Sequence, residues 1–142
     1  RLYNKPSFNT KDSKANFRVL NVPERKSGLT MMSVRSEGQF NSVVYEDEDA
    51  FRGIDRRDVI LMNSLDMKKL DLVEDDLVQV KSKTGLVERV FIREFDIKQG
   101  NTLMYYPECN PLVSRAVDPR SKTPGFKSTQ ISIVRNSLSS NG

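Results

Sequence analysis

Histidine is absent from the 142 residues, and cysteine occurs once, as Cys109. The commonest general base and the commonest zinc ligand are therefore missing together. One cysteine and no histidine leave no Cys–His or Ser–His nucleophile pair and no ordinary zinc set. An internal disulfide is excluded as well, which fits a reducing compartment, and a cytoplasmic setting is expected. Apolar runs last only a few residues, so neither a transmembrane span nor a signal peptide is read, and no membrane partner is expected. Runs of five Lys or Arg are also missing, as is an RNP-like aromatic strand. From such a set no catalytic residue and no metal ligand is assigned. A binding domain is easier to build than an enzyme that does its own chemistry.

What is present sets the scale. A chain of 142 residues with 37% hydrophobic and 30% charged residues suits one soluble domain with a real core. The net charge of +4 admits a phosphate or nucleic-acid partner. The basic residues are interleaved with acidic ones, however, so an ordinary mildly basic surface is preferred and nucleic acid is not expected. Glu46-Asp47-Glu48-Asp49 is read as a solvated acidic loop rather than a catalytic carboxylate pair or a calcium site. The chain opens on Arg1 rather than Met, which points to a processed product or an excised piece of something larger.

Periodicity argues for a mainly β chain. Residues 1–16 are polar and broken by Lys5-Pro6, and residues 136–142 lack apolar content and read as a disordered tail, so the folded unit is placed at 17–135. Phe17-Arg18-Val19-Leu20-Asn21-Val22 alternates as a first strand. Leu29 to Val34 is a short apolar run, and Asp58 to Met62 reads as a buried strand. Asn63-Ser64 supplies a helix cap. In the short helix that follows, Leu65, Met67, Leu70 and Leu72 are the apolar contacts, and Asp66, Lys68 and Lys69 are assigned to water. Leu77 to Ile92 forms a hairpin about Lys83-Thr84-Gly85, with Gly85 expected at positive φ. Thr102 to Tyr106 and Ser128 to Arg135 complete the set. Six or more short strands with one or two short helices argue for a closed barrel.

Two polar segments stand out where a sheet protein exposes loops. One is Val34-Arg35-Ser36-Glu37-Gly38-Gln39-Phe40-Asn41-Ser42. The other runs from Tyr105-Tyr106-Pro107-Glu108-Cys109-Asn110 to Ser121-Lys122-Thr123-Pro124-Gly125-Phe126-Lys127. Loops on a rigid scaffold commonly carry binding contacts, and these two read as walls of one polyanion site. Arg35 can fork onto phosphate or a ring carbonyl. Gly38 lets backbone approach a ligand. Gln39 and Asn41 offer donors and acceptors together, Glu37 offers a carboxylate acceptor, and Lys127 brings a mobile point charge. Plainer roles stand beside these: an ion pair for Arg35, a turn for Gly38, a loop anchor for Phe40, and core packing for Tyr105 and Tyr106. Cys109 reads as a small packed thiol.

The order of these phrases resembles the C-terminal molybdopterin-dinucleotide-binding domain of molybdopterin oxidoreductases, in the branch of formate dehydrogenase-like alpha subunits. The resemblance covers about Thr30 to Arg135. Its most specific parts are the Val34–Asn41 loop, the phrase Met67 to Val78, and Asp118-Pro119-Arg120-Ser121-Lys122-Thr123-Pro124. It implies a double-psi β-barrel of the aspartate decarboxylase-like type. It further implies that this domain caps a bis(molybdopterin guanine dinucleotide) carrying molybdenum or tungsten, held mainly by upstream domains of the same subunit. By the same resemblance, Val34, Arg35, Ser36, Glu37, Gly38, Gln39, Phe40 and Asn41, with Asn110, Phe126 and Lys127, are the expected cofactor contacts. Many relatives carry histidine where Gln39 stands, and the family's metal-ligating residue lies upstream. A stand-alone β-barrel interaction module, binding nucleic acid or protein, is the alternative. A barrel decarboxylase or protease is disfavoured, because the Gly-Ser self-cleavage pair and the Asp-Thr/Ser-Gly motif are both missing.

Overall fold

The computed structural model describes residues 8–22, 24, 27–40 and 46–135. The expected tail at 136–142 and the first part of the polar N-terminal segment lie outside the described residues, as does Asn41. Within them six strands close into a barrel in the order β1-β5-β2-β4-β3-β6. The strands are β1 (Leu29–Val34), β2 (Val59–Met62), β3 (Leu77–Lys81), β4 (Leu86–Glu94), β5 (Asn101–Tyr105) and β6 (Thr129–Arg135). One short helix, α1 (Ser64–Lys69), and a 3-10 turn at Asn110–Leu112 accompany them. The fold is thus a mainly β closed barrel, in line with the double-psi expectation.

Two pairings are parallel, β1 with β5 and β2 with β4, and the remaining ones are antiparallel. Strand β2 is buried along its whole length. Ile60 and Met62 join the barrel interior with Met31, Val78, Val80, Val90, Ile92 and Met104. Val59 and Leu61 join a second cluster with Ile54, Leu103 and Tyr105. A strand apolar on both faces is what a sheet covered on both sides requires, and it explains the unbroken Val-Ile-Leu-Met run.

Three local expectations need correction. Residues 17–22 form no strand, and Phe17, Val19, Leu20 and Val22 are 80–100% exposed. Alternation alone does not make a strand; a partner edge is needed, and a closed barrel leaves none free. In α1 the faces differ from the reading. Asp66 is buried and accepts the Gly100 amide at 2.5 Å, while Leu65 is half exposed. The cap itself is Asn63, whose Oδ1 accepts the Leu65 amide at 2.9 Å. Finally, the described glycines at positive φ are Gly28, Gly53 and Gly100, and Gly85 is not among them.

Candidate functional site

Parallel pairing brings the two polar loops together. In β1 and β5 Val34 lies opposite Tyr105, so both strands end at the same rim. The next residue extends the ladder, the Tyr106 amide donating to the Val34 carbonyl at 2.8 Å. The chain therefore leaves β1 toward Arg35 and leaves β5 toward Tyr106 side by side. Strand β6 runs antiparallel to β1, so the segment entering it passes the same rim. There the Ser33 amide donates to the Phe126 carbonyl at 3.0 Å, and Lys127 Nζ donates to the Ser33 carbonyl.

These elements enclose a cleft of about 390 Å³ lined by Ser33, Val34, Arg35, Tyr106, Phe126 and Lys127. The Arg35 guanidinium lies 5.7 Å from the centroid of the Tyr106 ring. One guanidinium, one ammonium and two aromatic rings give a surface that suits an anionic, ring-bearing ligand.

Behind the Arg35 loop is a charged but well-partnered layer. Ser36 and Gln39 are buried. Gln39 Nε2 donates to the Tyr106 carbonyl at 2.8 Å, and its Oε1 accepts the Ser36 amide at 3.3 Å. Arg57, from the segment entering β2, is 5% exposed and pairs with Glu108 at 2.6 Å. Arg52 Nη1 donates to the Arg35 carbonyl at 3.1 Å and pairs with Asp49 at 2.5 Å.

The acidic run is not uniformly solvated. Asp49 is 1% exposed, bridges to Ile54, and accepts the Tyr105 hydroxyl at 2.7 Å. Burial alone would raise the Asp49 carboxyl, but the Arg52 guanidinium and the Tyr105 hydroxyl hold it below the usual carboxylate range. Burial and the neighbouring Asp49 carboxylate push the Tyr105 hydroxyl well above the ordinary phenol value. A depressed carboxyl contributes stability that is present above its unfolded value and is lost as the pH falls through its folded one. Urea midpoints of the 142-residue chain should accordingly fall from pH 5 to pH 3. Asp49→Asn should flatten that fall while lowering the midpoint at pH 7, and an unchanged slope would reject this role for Asp49.

The predicted contacts divide clearly. Val34, Arg35, Phe126 and Lys127 share the cleft. Ser36 and Gln39 turn inward and support it. Glu37 and Phe40 are exposed, outside the cleft lining. Gly38 is half buried, and a β-carbon there would lie 2.8 Å from Glu46 Oε2, so it makes room for a carboxylate of this chain. Asn110 is exposed at the start of the 3-10 turn and does not line the cleft. Cys109 is wholly buried, and burial pushes its thiol up to about 11, as an inert packing group would have it. The sequence reading passed over Arg57, Arg52 and Glu108. Arg56-Arg57 ahead of an apolar strand was the available signal, but nothing in it says which arginine turns inward. Arg56 is the outward one, forking onto Asp58 and lying 3.7 Å from the Phe91 ring centroid.

A family model described as "Molydopterin dinucleotide binding domain" matches residues 29–130. An uncharacterized oxidoreductase of Mycobacterium tuberculosis (strain H37Rv) is 34% identical over 119 residues, covering 75% of this chain and 15% of that protein. Protein YdeP of Escherichia coli K12 is 27% identical over 116 residues, with the same shares covered, 75% and 15%. The chain thus spans about 15% of the length of these relatives. Among solved structures, acetylene hydratase from Pelobacter acetylenicus superposes with a TM-score of 0.57 at 14% identity, covering 75% of this chain and 18% of that one. That likeness is one of fold. Among the described residues no helix is long and apolar enough to cross a membrane.

Proposed function

Because the chain belongs to the molybdopterin dinucleotide-binding domain family, we propose that its Arg35–Lys127 cleft receives part of a molybdopterin guanine dinucleotide and that the domain caps and orients the cofactor. The observation that carries this reading is the cleft's donor set. Two cations and two aromatic rings stand at one rim, beside a loop whose backbone is held from behind. Its volume, about 390 Å³, is within the range of small-ligand sites. The residues therefore fit the group.

Arg35 and Lys127 would meet phosphate or ring oxygens, and the Tyr106 and Phe126 rings would pack against the apolar faces of the ligand. When bound, the group would supply two-electron redox chemistry. The share of this chain is to bind, to orient and to exclude water. In the same reading the cofactor is the bis form with molybdenum or tungsten, shared with upstream domains of one larger oxidoreductase. That enzyme would work in the cytoplasm, and a formate dehydrogenase-like oxidation would be its reaction. The last point rests on family analogy.

The test uses the full-length polypeptide made in a host that synthesises the cofactor. Pterin, GMP and metal are measured per polypeptide, alongside formate-dependent dye reduction. Pterin and GMP in equal amounts are expected, and Arg35→Ala and Lys127→Ala should each weaken retention about tenfold or more, the worth of one charge-assisted contact. A polypeptide purified without pterin would reject the reading. Pterin without GMP would reject the guanine form alone.

A further inference from the structure

Arg57 does not itself line the cleft, yet it holds both of its walls from behind. Its Nη1 donates to Ser36 Oγ at 3.1 Å and to the Glu46 carbonyl at 2.5 Å. Its Nη2 donates to the Tyr106 carbonyl, to Glu108 Oε2 at 3.0 Å and to Gln39 Oε1 at 3.4 Å. Its Nε donates to Glu108 Oε1 at 2.6 Å. One planar group therefore joins the loop after β1, the 46–54 segment and the loop after β5. Guanidinium is the side chain suited to this, because its donors form a rigid fork, whereas an ammonium is a point charge with rotatable donors.

The placement of these acceptors matters more than their number. Ser36 directly follows Arg35, and the Tyr106 carbonyl belongs to the residue whose ring faces Arg35. Gln39 ties the same two places a second time, bridging the Ser36 amide and the Tyr106 carbonyl. Moving the Arg57 plane would move Arg35 relative to Tyr106, and hence the width of the cleft. Glu108 supplies the countercharge that allows the guanidinium to be buried there.

We propose that Arg57 is the positioning residue of this site, setting the spacing of the Arg35 and Tyr106 loops through Ser36, Gln39 and the Tyr106 carbonyl without touching the ligand. The inference rests on the cofactor reading above. A purely structural Arg57 would matter only through fold stability, whereas a positioning Arg57 matters through geometry.

The experiment separates the two in the full-length, cofactor-loaded polypeptide. Arg57→Lys keeps the charge opposite Glu108 and loses the fork. Ser36→Ala removes a single hydrogen bond and spares the fold if Arg57→Lys does not. Val80→Ala, in the barrel interior on β3, is the stability control. Three quantities are read: the rate at which fluorescent pterin is released, the unfolding midpoint, and amide exchange at 35–40. Arg57→Lys and Ser36→Ala should release pterin about ten- to hundredfold faster than Val80→Ala at equal unfolding midpoint, the usual cost of losing a supporting contact behind a ligand. Exchange at Ser36 and Gln39 should quicken as well. Release rates that follow the unfolding midpoint on one line with Val80→Ala, or full retention in Arg57→Lys, would overturn the proposal. A wild-type polypeptide without pterin sinks the cofactor reading, and this inference with it. A loaded wild type with unaffected variants sinks only the role of Arg57.

Discussion

Glu108→Ala is expected to destabilise the chain by about 3 kcal/mol, the lower end of the cost of breaking a buried ion pair. The Arg57 side chain is 4% exposed and that of Glu108 20% exposed, so removing the carboxylate strands a guanidinium that water hardly reaches. The lower end applies because Glu108 stands partly open and because Ser36, Glu46 and Tyr106 still accept from Arg57. Glu108→Gln should cost less, since an amide oxygen keeps one hydrogen bond while the charge is lost. An Arg57→Met, Glu108→Leu double substitution should cost less than Glu108→Ala alone, because both charges leave the interior together. Urea unfolding of the set at pH 7 checks the ordering. A loss under about 1 kcal/mol for Glu108→Ala, the level of an exposed pair, would place the pair with surface salt bridges and reject this account.

The parts of the molecule readable from the sequence are those in which local pattern and tertiary setting agree. Leu29–Val34 and the apolar run of β2 carry their burial in their composition, and Asn63 announces a helix start. Arg35, Phe126 and Lys127 stand out in the sequence as charged and aromatic residues in two loops, and the fold brings them to one cleft. What failed depended on partners distant in sequence. Residues 17–22 alternate as a strand should, but the barrel has no open edge for them. Asp66 and Asp49 look like solvent carboxylates until Gly100 in one case, and Tyr105 with Arg52 in the other, are brought against them. Arg57 belongs to the same class. Its burial follows from the antiparallel register of β2 with β5, where Ile60 faces Met104 and the residues before β2 meet those after β5.

Gly85→Ala is expected to cost about 1–3 kcal/mol, the range for forcing an extra carbon into a packed site, and the reason differs from the one its turn suggested. A glycine closing a hairpin is ordinarily explained by positive φ. Gly85 has no such φ, and the Ser82 amide donates to its carbonyl at 2.9 Å. The constraint comes from across the barrel mouth, because a β-carbon on Gly85 would stand 2.5 Å from the Pro111 carbonyl oxygen. That oxygen is backbone and cannot swing aside as the Glu46 carboxylate near Gly38 can. Relief would require shifting the 3-10 turn, whose Leu112 and flanking Cys109 and Val113 are packed in the core. Gly85→Asn tells the two explanations apart. At a positive-φ position asparagine is tolerated better than alanine, because it enters the left-handed region more readily. At a close backbone approach it is no better, since its β-carbon meets the same oxygen. Equal or greater loss of unfolding midpoint in Gly85→Asn than in Gly85→Ala is the expected result. Recovery toward wild type in the asparagine variant would return the position to ordinary turn chemistry.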